Sequence, residues 1–130
     1  MSDATGVGLW LSLAFRDAEK MIGWLAAIGF TEHTIHRAGD PTTVQHAEML
    51  WPAGGGIMFG THRGGNPDWP RQPGAAAAYL VTDDPDRVYA AAVAAGATSL
   101  YAPRDENYGA RTAGVMDPEG NLWSFGTYRP

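Results

Sequence analysis

The sequence has no cysteine. Disulfides, thiolate metal sites and a cysteine nucleophile are therefore excluded. Lysine is nearly absent: Lys20 stands alone beside eight scattered arginines, and the formal charge is −5. Binding a phosphate backbone needs clustered cations, so nucleic acid is not an expected partner. The N-terminal apolar run, Val7 to Phe15, is too short to span a bilayer and has no basic segment before it. A membrane is thus not an expected partner either, and a cytoplasmic protein is the expectation. There is no nucleophile elbow, and no Ser-His-Asp arrangement can be assigned, so no residue is marked as catalytic. Gly54 to Gly56 fall in a hairpin and open no helix, which excludes a phosphate-cradling loop.

What is present is the material of one globular domain spanning 1–130. The 45% hydrophobic content and five tryptophans are enough for a substantial core. Gly8 to Phe15 has the length and composition of a buried strand. Asp17 then has the character of a helix N-cap, with Glu19 in the first turn. Ala18, Met21, Ile22, Leu25 and Ile28 follow at helical spacing, and Gly29 is a natural stop. Strands are expected over Phe30 to His36, Thr43 to Trp51 and Gly56 to Thr61. Residues 62–74 (HRGGNPDWPRQPG) have no periodicity and read as a long connecting loop.

The same order then returns. Ala75 to Val81 reads as a strand. Asp84-Pro85 is an N-cap with proline at the first helical position, and Val88, Tyr89, Ala92 and Ala95 keep helical spacing up to Gly96. Ala97 to Pro103 reads as a strand and Arg104 to Gly109 as a loop. Ala110 to Met116 and Asn121 to Thr127 form a hairpin around Asp117-Pro118-Glu119-Gly120, where Pro118 pre-sets one turn position and Gly120 supplies a positive φ. Asp17, Glu19, Lys20 and Gly29 match Asp84, Asp86, Arg87 and Gly96 at one constant spacing, and Gly56, Met58 and Gly60 match Leu122, Ser124 and Gly126 one residue closer. Cap, helix length, stop and last strand recurring together indicate an internal repeat. The fold class is therefore α+β, with two βαβββ modules at about 8–61 and 75–127 joined by 62–74.

With that repeat, and with the segments RDAEKMIGWLAAIGF, GGGIMFG and YGARTAGVMDPEGNLWSF, the chain resembles the vicinal oxygen chelate superfamily, the group of glyoxalases, bleomycin-resistance proteins and extradiol dioxygenases. The closing segment looks like the bleomycin-resistance-like branch. The resemblance implies curved mixed sheets around a pocket and a homodimer. It also implies four metal-ligand positions in the metal-dependent members, on the first, fourth, fifth and eighth strands. Those positions hold Trp10, Met58, Ala77 and Ser124 here, which is not a ligand set. No metal or other cofactor is expected from them.

Strand alternation then places Gly8, Trp10 and Ser12, Gly56, Met58 and Gly60, Ala77 and Tyr79, and Leu122, Ser124 and Gly126 on the cavity side. Such a lining suits a flat aromatic ligand, and the acidic chain is compatible with a cationic one. The competing role for Trp10 and Met58 is core filling. Trp69, alone in a polar loop, is a candidate lid or dimer contact. Tyr108 and Arg111 open the closing hairpin, Arg111 being either an anion partner or half of a salt bridge. The candidate ligand-binding residues are thus Trp10, Ser12, Met58, Trp69, Tyr79, Tyr108, Arg111 and Ser124. The expected function is metal-free binding of a small molecule, an antibiotic or aromatic metabolite. The alternative is a lyase, isomerase or dioxygenase with a displaced metal on His46 and Glu48, which share a strand face. A third possibility is a filled pocket and a purely associative role.

Overall fold

The computed structural model describes residues 6–64 and 66–130. Ten elements follow in the order β1 (Trp10–Phe15), α1 (Ala18–Ile28), β2 (Thr31–Arg37), β3 (Val44–Leu50), β4 (Gly56–Thr61), β5 (Ala77–Val81), α2 (Pro85–Ala94), β6 (Thr98–Asp105), β7 (Arg111–Met116) and β8 (Leu122–Gly126). They form two four-stranded mixed sheets, ordered β1-β4-β3-β2 and β5-β8-β7-β6, each carrying one helix. The fold class is α+β, as expected. The chain divides into two compact units, Met1–Ala75 and Ala76–Pro130, and the loop over 62–74 belongs to the first.

The repeat is visible down to single hydrogen bonds. Asp17 Oδ1 accepts from the Lys20 amide at 3.1 Å, and Asp84 Oδ1 accepts from the Arg87 amide at 3.1 Å. Each cap thereby satisfies one of the amides that a helix start leaves without a partner. Both helices stop at a glycine with positive φ, 129° at Gly29 and 121° at Gly96, where a side chain would be strained. The chain then turns back through Phe30 N to Leu25 O and Ala97 N to Ala92 O, each 3.0 Å.

In each unit, one sheet face lies under the helix and the other does not. Leu13 and Phe15 of β1 and Ile57 and Phe59 of β4 are buried on the helix side, with the Phe15 and Phe59 rings edge to face at 5.0 Å. Helix α1 covers them with Met21, Ile22, Leu25 and Ile28, all buried. Each such side chain withdrawn from water contributes about 1.5–3 kcal/mol, so α1 is held by packing far more than by its cap. In the second unit Leu80, Val115, Trp123 and Phe125 are buried. Helix α2 covers that sheet with smaller groups, burying Pro85, Val88 and Ala92.

Strand limits differ from the sequence reading at a few ends. Arg104 and Asp105, expected in a loop, extend β6 and pair with Thr112 and Arg111. The edge position explains this, because an edge strand tolerates charged side chains that a central strand would expel. The Arg104 guanidinium also lies 4.2 Å from the centre of the Tyr101 ring. Gly8 and Leu9 fall before β1, and Ala75 and Ala76 before β5.

The Asp117–Asn121 turn is a compact polar knot. Asp117 is buried, and its carboxylate accepts from the amides of Glu119 (2.8 Å) and Asn121 (3.0 Å), from Asn121 Nδ2 (3.0 Å) and from Trp123 Nε1 (2.9 Å). Four donors on one carboxylate offset the cost of burying it. Asn121 Oδ1 in turn accepts from the Ala76 amide at 3.1 Å.

Candidate functional site

The side chains not covered by a helix define the candidate site, one face in each unit. In the first unit the ladders set Trp10 opposite Gly56 and Ser12 opposite Met58, with Glu48 on the other side of Met58. Trp10, Ser12, Met58 and Gly60 are half-buried, in contrast to Leu13, Ile57 and Phe59 on the helix side, which are buried. Trp10 lies down on Gly56: a Cβ there would come within 2.3 Å of its ring. Trp10 Nε1 donates to the Val7 carbonyl at 3.2 Å, so both ends of the indole are fixed.

Beside this platform lies an open cleft of about 440 Å³. Ser12, Met58 and Trp69 line it together with Gln45, His46, His62, Arg63, Asn66 and Arg71. Trp69 is 62% exposed, so its ring is available as a wall. Arg71 reaches back from the loop to β1, the outer strand of its sheet, where Nη2 donates to the Ser12 carbonyl. The sequence reading brought Ser12, Met58 and Trp69 forward and missed Arg63 and Arg71. A loop without periodicity gives no indication of which way its side chains turn. The available signal was an arginine on either side of an isolated tryptophan.

His46 and Glu48 do share a face. His46 Nε2 lies 2.8 Å from Glu48 Oε2, and His33 Nε2 lies 3.8 Å from Glu48 Oε1. The carboxylate thus lies between two imidazoles, within hydrogen-bond distance of His46. Among the described residues no cluster of three or more His, Asp or Glu side chains has a metal-binding arrangement.

In the second unit the corresponding face is built on tyrosine. Across the sheet, Tyr79, Ser124, Gly114 and Tyr101 stand in one row. The Tyr101 ring covers Gly114, where a Cβ would meet it at 2.4 Å. Tyr79 donates its hydroxyl to the Tyr128 carbonyl at 2.7 Å, and the Tyr108 and Tyr128 rings meet edge to face at 6.0 Å. Burial, followed by the nearby Tyr108 hydroxyl, raises the Tyr79 pKa above the ordinary phenol value, so this hydroxyl remains a donor.

Arg111 is not part of that row. Its Nε and Nη2 donate to the two Asp86 oxygens at 2.7 and 2.9 Å, and Nη1 donates to Asp105 at 3.1 Å. Of the two roles open to it, the salt bridge is the one observed. Those contacts raise its pKa and lower that of Asp86, the Arg111–Asp86 hydrogen bonds being the largest cause in both. Trp123 and Phe125 are buried on the helix side, as their parity to Ser124 requires.

The four positions that would carry ligands in a metal-dependent relative are Trp10 and Met58 in one unit and Ala77 and Ser124 in the other. An indole, a thioether, a methyl and a hydroxyl do not fit a divalent metal, which needs imidazole or carboxylate donors. Trp10 is further committed by its bond to Val7.

Comparison with known proteins follows the same lines. The family described as the Glyoxalase/Bleomycin resistance protein/Dioxygenase superfamily matches residues 9–125. No curated protein matches the chain. Among solved structures, TioX from Micromonospora sp. ML1 is similar at 25% identity and TM-score 0.72, over 94% of this chain and 100% of that one. A glyoxylase/bleomycin resistance protein/dioxygenase domain from Frankia sp. EAN1pec is 21% identical over 98% and 100% of the two chains, with TM-score 0.70. A bleomycin-binding protein complexed with bleomycin shares the fold at TM-score 0.59 and 20% identity, over 93% and 98%. The chain belongs to the glyoxalase, bleomycin resistance protein and dioxygenase superfamily.

Proposed function

We propose that the protein binds a small molecule without a metal, sequestering an antibiotic or an aromatic metabolite on the open sheet faces. The observation that carries this reading is the cleft of about 440 Å³ beside Ser12, Met58 and Trp69. It lies within the usual range of about 300–1,000 Å³ for ligand sites. Membership of a superfamily that includes a bleomycin-binding protein supports the same reading by analogy.

The energetics require more than one ring. Covering a large aromatic side chain contributes about 1.5–3 kcal/mol, and stacking adds about 0.5–1.5 kcal/mol. Micromolar binding needs about 8 kcal/mol. Trp69 alone falls short, so Met58, Ser12 and the polar groups of the cleft must contribute. In the second unit, Tyr79, Tyr108 and Ser124 would offer a separate aromatic surface, and in the first Trp10 would serve as a fixed platform. The same reading takes the protein as a homodimer, which sedimentation velocity measures directly.

Titration of a broad panel of aromatic compounds, followed by tryptophan fluorescence, tests the function. Saturable quenching that is lost in Trp69→Ala is expected. The absence of saturation across the panel would overturn the reading. Stoichiometric metal in protein purified without chelator would instead favour the displaced-metal enzyme.

A further inference from the structure

The first-unit cleft has the opposite charge character to the chain that forms it. The formal charge of the protein is −5, yet among the described residues no Asp or Glu side chain lines the cleft. Basic side chains line it instead: His46, His62, Arg63 and Arg71. Four arginines elsewhere are paired with carboxylates, Arg37 with Glu19, Arg104 with Glu106, Arg111 with Asp86 and Asp105, and Arg129 with Asp83. Arg63 and Arg71 meet no carboxylate among the described residues, and Arg71 is held by a neutral carbonyl, that of Ser12. Glu48 faces Met58 across the ladder, but its two oxygens are engaged by His46 and His33.

We propose that this cleft selects an aromatic ring bearing an anionic group, such as an aryl carboxylate; the proposal rests on the cleft being the ligand site. Trp69 and Met58 take the ring. Arg71 is positioned by one donor on Ser12 and keeps its remaining N–H groups, and Arg63 adds a second guanidinium that meets no carboxylate among the described residues. Guanidinium suits a carboxylate because two parallel N–H groups match its two oxygens. A cationic ligand would meet like charge on both guanidiniums of the lining.

Calorimetric titration with 2-naphthoate, 2-naphthamide and 2-naphthylmethylammonium tests this, because the ring is constant and the charge changes. The naphthoate is expected to bind about tenfold or more tightly than the amide, the gain of a charged hydrogen bond, with the ammonium weakest. Raised salt should narrow the difference. Arg63→Gln, at an exposed position that leaves the melting curve unchanged, should bring the naphthoate-to-amide ratio towards one, as should Arg71→Gln. Equal binding of the three compounds overturns the anion selectivity and leaves the binding function standing. A naphthoate preference that survives in both arginine variants also overturns it. If none of the three binds, the proposed ligand class is wrong, and failure of the broad aromatic panel as well would remove the binding function.

Discussion

The two units are built to one plan and finished differently, most clearly at the turn before the last strand. In both, the backbone closes in the same way: Trp51 N to Gly55 O and Gly54 N to Trp51 O in the first, Asp117 N to Asn121 O and Gly120 N to Asp117 O in the second. In the first unit the leading position holds an indole, which packs on Phe30 with ring centres 5.0 Å apart. In the second it holds a carboxylate that gathers four donors. One turn is anchored by apolar contact and the other by polar saturation. The backbone path therefore does not dictate the side-chain chemistry, and the same freedom let the open faces diverge, one towards Trp69 with histidine and arginine, the other towards tyrosine.

Five measurements would break or sharpen that contrast. Asp117→Ala should cost about 3–5 kcal/mol in chemical denaturation, because it leaves buried donors without an acceptor. A loss below about 1 kcal/mol would mean that the polar knot is dispensable. Trp51→Ala should cost about 3 kcal/mol by leaving a cavity against Phe30 and Gly29. Unlike the carboxylate variant, it should respond to refilling by Trp51→Phe.

The glycine floors come next. Gly56→Ala should push the Trp10 ring off its strand and cost about 1–3 kcal/mol, with a red shift in tryptophan emission. Gly114→Ala should displace Tyr101 by the same mechanism without that shift, and identical spectra would deny that Trp10 is the ring that moves. The helix caps are the shared feature, so Asp17→Ala and Asp84→Ala should each cost about 1 kcal/mol. Clearly unequal melting shifts would show that the repeat is not energetically symmetric.

The smallest effect is on acid stability. Asp40 accepts from the hydroxyls and amides of both Thr42 and Thr43, and these bonds, the hydroxyls first, hold its carboxyl down from 3.8 to about 2. A carboxyl depressed in the folded state contributes stability above its unfolded pKa and loses it as pH falls through the folded one. Asp40→Ala should therefore flatten the acid limb between about pH 4 and pH 2. Glu106, lowered first by the Thr112 hydroxyl and then by Arg104, is the second unit's counterpart in the β6–β7 turn. Glu106→Ala should flatten the limb less, and the reverse order in an acid titration of melting temperature would contradict the assignment.

Much of the architecture was legible because it is written locally. Asp17 to Gly29 and Asp84 to Gly96 carry their starts and stops within one helix length. The open faces were legible because a strand alternates with period two, so Ser124 and Trp123 had to part company. What stayed hidden depends on contacts that no period encodes. The Arg71 bond to Ser12 joins residues 59 apart, and the Tyr101 ring over Gly114 depends on a register shift in β6. For Arg111 the residue type allowed two roles, and its ion pair with Asp86 rests on a helix 25 residues earlier in the chain.

Asn121 has a consequence for how the second sheet is assembled. β5 and β8 run parallel, and parallel partners cannot be aligned by a tight turn between them. Asn121 Oδ1 grips the Ala76 amide while the Leu122 amide donates to the Ala76 carbonyl at 3.0 Å, so the first residues of the pair are clasped from both sides. A slip of one residue would break that clasp and exchange Trp123 with Ser124, putting an indole on the open face and a hydroxyl in the core. The turn that closes one hairpin therefore also acts as a ratchet stop for a strand 45 residues away in the chain.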